Sequence, residues 1–164
     1  MSLALPAAAH AGVRERGMVD ELNRVRAKHD LPALRASESL EGSAFAYAGR
    51  LMESGWFGHA GSISAPPGFR MLGETLSVHR GRRLRRARTV RRWLRSPTHR
   101  ALILSRQFAW VGAGYSRGRF RGRRATIWVL HLGGGLQPGG APDVPLRGTS
   151  TARLNSATSV PSWL

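Results

Sequence analysis

The chain of 164 residues contains no cysteine. That excludes a disulfide framework, a thiolate metal site and a thiol nucleophile together. Acidic residues are scarce, nine against 26 basic ones, which leaves a formal net charge of +17. Lysine is almost missing as well: Lys28 is the single one, and the other basic residues are arginine. A GC-rich genome accounts for arginine in place of lysine. It does not account for the excess of bases over acids, which predicts attraction to polyanions. No run of about 20 apolar residues occurs, so no segment is expected to cross a membrane as a helix. A Gly-x-Ser-x-Gly elbow is also missing, and with it one way of presenting a serine nucleophile.

What is there divides into three parts. The stretch from Leu3 to Ala11 closes on the triplet Ala9-His10-Ala11, the small-residue pattern that signal peptidase reads, so residues 1–11 are expected to be the remnant of a signal peptide on an exported protein. Residues 13–134, with ordinary hydrophobic content, are expected to form one domain. Residues 135–164 are dominated by Gly, Pro, Ser and Thr and are expected to be a disordered tail.

Within the domain, Met18, Leu22 and Val25 recur at helical spacing between Val13 and His29, and Leu31-Pro32 ends that helix. A second helix is expected from Glu38 to Glu53, capped by Ser37 and stopped by Gly55. The segment from Ala60 to Gly68 reads as loop, and Glu74 to Val78 as a short strand. A third helix spans Arg86 to Arg95 and a short one Ser96 to Leu104, with Ser96 as cap and Pro97 at its first position. Phe108–Tyr115 and Ala125–Leu132 form a hairpin around the arginine-rich turn Arg117–Arg124. Ile127-Trp128-Val129-Leu130 is apolar at consecutive positions, so both faces of that strand are expected to be covered by helices.

Three polar residues stand out as site candidates. His99 lies near the start of a helix tied down by Leu102-Ile103-Leu104, and an imidazole acts as base or ligand only when its ring is held. His59 follows the aromatic pair Trp56-Phe57, and Glu74 follows Gly73.

Phe57-Gly58-His59, then Gly73-Glu74-Thr75-Leu76, then Trp93-Leu94-Arg95-Ser96-Pro97-Thr98-His99-Arg100 resemble, in that order, the bacterial branch of the SCP-like (CAP) superfamily of cysteine-rich secretory, antigen 5 and pathogenesis-related proteins. Leu22–Arg26 with Leu31–Leu34, and the strands Trp110–Gly114 and Thr126–Leu130, extend the resemblance over most of the domain. The resemblance implies an α/β fold of three layers, an α-β-α sandwich, with His59, Glu74 and His99 lining one ligand-binding cleft. It also implies two departures. The usual Gly-Glu-Asn is Gly-Glu-Thr here, so the hydroxyl of Thr75 stands where an amide would support the loop. The second acid found in eukaryotic members is Ser96.

Three functions remain open on this reading. The first is a secreted domain of the envelope or extracellular space whose cleft binds a small or lipidic ligand. The second is a metal-assisted hydrolase or peptidase using the same cleft, with a divalent metal such as zinc held by His59 and His99. The third is a basic polyanion binder with a vestigial cleft. Nine arginines fall between Arg80 and Arg95 and five between Arg117 and Arg124. No helix-turn-helix, zinc-finger or RNA-recognition pattern accompanies them, so sequence-specific nucleic acid is not the expected partner, whereas anionic wall polymers or lipid headgroups are. Retention on heparin, DNA and anionic vesicles is therefore expected to fall steeply with added salt in all three cases; binding to one DNA sequence that persists at high salt would contradict this.

Overall fold

The computed structural model of the protein describes residues 14–63 and 68–136. In chain order its elements are α1 (Arg14–Ala27), β1 (Arg35–Ala36), α2 (Glu38–Ser54), β2 (Phe69–Arg80), α3 (Arg86–Arg95), α4 (Pro97–Ile103), β3 (Phe108–Phe120) and β4 (Arg123–Leu136). The expected signal-peptide remnant and all but the first two residues of the expected tail lie outside the described residues. Those two belong to β4, where Leu136 pairs with Phe69.

The four strands lie in the order β1-β3-β4-β2, with β1 parallel to β3 and the other pairs antiparallel. β4 is flanked on both sides and covered on both faces. Trp128, Leu130 and Leu132 pack with Met18, Leu22, Val90, Trp93 and Ile103 from α1, α3 and α4. Ala125, Ile127 and Val129, on the alternate face, pack with Ala44, Tyr47, Ala48 and Leu51 of α2. The consecutive apolar residues of this strand thus serve two cores, and the fold is the expected α-β-α sandwich.

Helix α2 carries the cap signals of its sequence. The Ser37 hydroxyl accepts a hydrogen bond from the Leu40 N–H, and Gly55 closes the helix in the left-handed region at φ 67°. Its height above the sheet is set by Gly112 and Gly114 in β3. A methyl group on Gly112 would overlap the backbone of Leu40 and Glu41, and one on Gly114 that of Ala44 and Phe45. The helix therefore rests on bare backbone.

With no disulfide available, a buried guanidinium ties distant segments together. Arg26, only 1% exposed, donates from Nε to the Pro32 carbonyl at 2.8 Å, and from Nη1 to the carbonyls of Ile103 at 2.7 Å and Ser105 at 2.9 Å. Nη2 reaches Phe108 O at 3.4 Å. One side chain so links α1, the turn after it, the end of α4 and the start of β3.

Several local expectations change. β2 is 12 residues long, not the short Glu74–Val78 strand, because its polar residues find partners inside the fold and do not end it. The hairpin strands run through the arginines to a two-residue turn, Arg121-Gly122, with φ of 48° and 76°. Such a turn matches the twist of paired strands, and the neighbouring arginines simply occupy exposed strand positions. Pro97 does begin α4, but the Ser96 hydroxyl makes no capping bond; its carbonyl accepts from Arg100 N–H. The two-residue strand β1 was not anticipated, being too short to show a period.

The close approach of α2 makes a paired prediction. Gly112→Ala should destabilise the domain by about 1–3 kcal/mol or more, as overpacking does. Gly42→Ala, in the same helix but with open space around it, should stabilise by roughly 0.5–1 kcal/mol. Denaturant melts of the two variants with equal midpoints would refute the packing account.

Candidate functional site

The site is built around Glu74, which sits in β2 directly opposite His131 of β4 and is fully buried. Side chains alternate along a strand, so Glu74 shares its face with Leu76 and Val78 and looks toward α2. Its Oε2 accepts from Nε2 of His131 at 3.0 Å. Its Oε1 accepts from Nδ1 of His59 at 2.7 Å and from the Ala60 N–H at 3.1 Å. The carboxylate therefore pins the loop after α2 to the sheet. A second tie comes from the Tyr47 hydroxyl, which donates to the Gly58 carbonyl at 2.7 Å.

Burial by itself would raise the Glu74 pKa, but the hydrogen bonds from His131 and His59, the charge of His131 and the Ala60 N–H outweigh it and hold the carboxyl below its ordinary value. An ionised carboxylate only accepts hydrogen bonds, so Nδ1 of His59 and Nε2 of His131 carry the protons. The other ring nitrogen of His131, Nδ1, lies 2.9 Å from the Ser43 hydroxyl of α2. The other ring nitrogen of His59, Nε2, is buried with no hydrogen-bond partner among the described residues.

His99 supplies the facing group. It projects from α4, itself buried, and its ring centroid lies 6.5 Å from that of His59 at an interplanar angle of 53°. Its Nε2 is likewise buried without a partner among the described residues. Burial, His59 and Arg92 lower its pKa, in that order, so the ring is kept neutral. Beside it a groove of about 350 Å³ follows the outer edge of β2, walled by Phe57, Leu76, Val78 and Trp93, with Ser77 and Ser96 as its small polar groups. The Trp93 indole donates to the Leu76 carbonyl at 2.8 Å, and Arg92 Nη1 to that of Val78 at 3.3 Å, closing the free edge of the strand.

His59, Glu74 and His99, expected from sequence to share a cleft, are brought together. His131 and Ser43 were not foreseen. The available signal was a histidine inside the fully covered strand Ile127–Leu132, since a buried imidazole must find partners. Thr75 does not take over the support of the loop: its side chain points to the opposite face of β2, where the hydroxyl has no partner among the described residues, and the Ala60 N–H to Glu74 bond holds the loop instead.

The donor set suits a metal poorly. Both Glu74 oxygens are engaged, Ser96 replaces the second acid, and the two imidazole Nε2 atoms remain. Among the described residues no group of three or more His, Cys, Asp or Glu side chains is placed to hold an ion. That is one protein ligand short of the usual catalytic zinc site.

Comparison with known proteins agrees with this architecture. Residues 19–132 match the cysteine-rich secretory protein family, CAP, and the chain belongs to that family although it has no cysteine. Among solved structures, an outer surface protein of Borrelia burgdorferi is similar over 73% of this chain and 90% of its own, with 24% identity and a TM-score of 0.61. An extracellular SCP-domain protein of Bacillus anthracis is similar over 82% of this chain and 45% of its own, at 18% identity and TM-score 0.55. The venom allergen-like protein 4 of Schistosoma mansoni is similar over 87% and 96%, at 14% identity and TM-score 0.55. At these identities the likeness is one of fold. No curated protein matches by sequence.

The site has a pH signature. His99 has its pKa lowered from 6.5 and Glu74 from 4.5. For each, the unfolded chain takes up its proton at a higher pH than the folded one, so stability is complete above the unfolded values and is lost on acidification, first through His99 and then through Glu74. Buried His79, held at about 4 by its burial and by Arg92, Arg88 and Arg85, adds to the same slope. Thermal melts of the parent should show a loss between pH 7 and 5 that is smaller in His99→Gln. Identical slopes would show that His99 titrates normally.

Proposed function

We propose that this CAP domain is a binding module of the envelope or extracellular space whose groove along β2 takes a small or lipidic ligand. The observation that carries the reading is the buried Nε2 of His99, without a hydrogen-bond partner among the described residues, on a ring that lines the groove, with the likewise unpartnered Nε2 of His59 on the neighbouring ring. A buried polar atom without a partner is disfavoured, and a ligand hydroxyl, or a carboxyl group that keeps its proton in the groove, supplies the missing donor. The chain Ser43–His131–Glu74–His59 holds the acceptor still, so little ordering is required on binding. Phe57, Leu76, Val78 and Trp93 then receive the apolar remainder. An extracellular setting is supported by the Ala-x-Ala triplet and by the descriptions of the similar Borrelia and Bacillus proteins as an outer surface and an extracellular protein.

A hydrolytic reading draws on one specific feature, the Glu74–His59 pair, which orients a ring as a general base. Against it stands His59 Nε2, which has no hydroxyl within hydrogen-bond reach among the described residues. A zinc ion held by His59 and His99 alone would be weakly bound, and no part of the binding reading depends on it.

The test is a fluorescence titration with dansyl-undecanoic acid, alongside an assay for p-nitrophenyl butyrate hydrolysis. Saturable binding with energy transfer from Trp93 is expected, weakened about tenfold in His99→Ala, the loss of roughly one hydrogen bond. Titration without saturation would remove the lipidic ligand, and ester turnover abolished by His59→Ala would select the hydrolase.

A further inference from the structure

A second groove, of about 440 Å³, lies beyond the first, and Arg92 and Arg95 wall both. Its remaining lining is His79 and Arg80, at the end of β2, and Arg85, Arg88 and Arg91 of α3 and its approach. Arg85, Arg88, Arg92 and Arg95 are spaced three, four and three residues apart, so they form one narrow stripe along the helix. Like charges at that spacing destabilise a helix, and no acidic side chain among the described residues lines the groove to offset them.

The imidazole does not relieve the charge either, nor does it add to it. His79 is buried, its Nε2 lies 2.6 Å from the Thr89 hydroxyl, and that burial together with Arg92, Arg88 and Arg85 keeps the ring neutral. One guanidinium is already positioned, since Arg92 Nη1 is bonded to the Val78 carbonyl. The other arginine-rich segment is different. Arg119 donates to Gly122 O, Arg121 to Gly55 O, and Arg117 lies over the Tyr115 ring. These residues cover the hairpin and line neither groove.

We infer that the arginine groove is a binding site for a compact anion carrying two or more phosphoryl groups. Guanidinium forks match pairs of phosphate oxygens, and several of them converging on one concavity favour clustered phosphates over a single one. The volume falls within the roughly 300–1,000 Å³ common for small-ligand pockets. The inference is independent of the ligand of the histidine groove. The same chemistry is offered by a free polyphosphorylated solute and by a diphosphate lipid headgroup.

Both sources are tested on the full chain at fixed low salt, with tripolyphosphate by calorimetry and with cardiolipin vesicles, against phosphatidylcholine vesicles, by co-sedimentation. Arg88 and Arg91 are exposed and line only this groove, so Arg88→Gln/Arg91→Gln removes anion ligands without touching the core. That double variant should weaken binding at least about tenfold, while Arg117→Gln/Arg119→Gln, with the same change of charge, should weaken it less than about twofold. His99→Ala should leave it unchanged. Saturable tripolyphosphate binding with this pattern supports a soluble ligand; cardiolipin binding alone with this pattern supports the headgroup. Equal losses in the two double variants, loss in His99→Ala, or no saturable binding to either probe would overturn the inference.

Discussion

The buried carboxylate of Glu74 is the interaction on which the site depends. It faces two imidazoles and a backbone N–H from three different parts of the chain, and all three need an acceptor that water cannot supply at that depth. Because a carboxylate has two oxygens and several lone pairs, it satisfies a strand residue on one side and a loop on the other at once. Position of the loop, tautomer of His59 and orientation of His131 are therefore a single event. Loss of the charge would release all of them, whereas loss of His99, whose Nε2 bonds to nothing among the described residues, would leave the frame standing.

This frame in turn requires α2 to lie close to the sheet. Ser43 reaches His131, and Tyr47 both stacks on that ring at 6.3 Å and ties down Gly58, only because Gly112 and Gly114 have no side chains beneath the helix. Gly112 is itself the β3 neighbour of His131. Packing and chemistry thus meet at the same register position: the small residue that admits the helix lies beside the imidazole that the helix serves.

The parts of this arrangement that were legible in the sequence are those written in local signals. Ser37 and Gly55 bound α2, Pro97 begins α4, and the unbroken apolar run of β4 announces a sheet covered on both faces. His59, Glu74 and His99 were legible through their order along the chain. The rest depends on contacts that have no local trace. β2 looked short because Gly73 precedes Glu74 and His79-Arg80 follow Val78, and only pairing with β4 from Phe69 to Arg80 makes the strand continuous. Ser43 resembles any small helical residue until β4 is beside it. The role of Gly112 shows in no period, and the arginines of α3 and of the hairpin look alike in composition although one set lines a groove and the other clothes a turn.

Arg26 has a consequence for how this domain is made. In cysteine-bearing relatives of such folds, cross-links between distant segments need an oxidising step. Here distant segments are joined instead by a guanidinium shared among four carbonyls. Folding is therefore uncoupled from electron transfer. Thiol reductants, which open a disulfide, leave this link untouched.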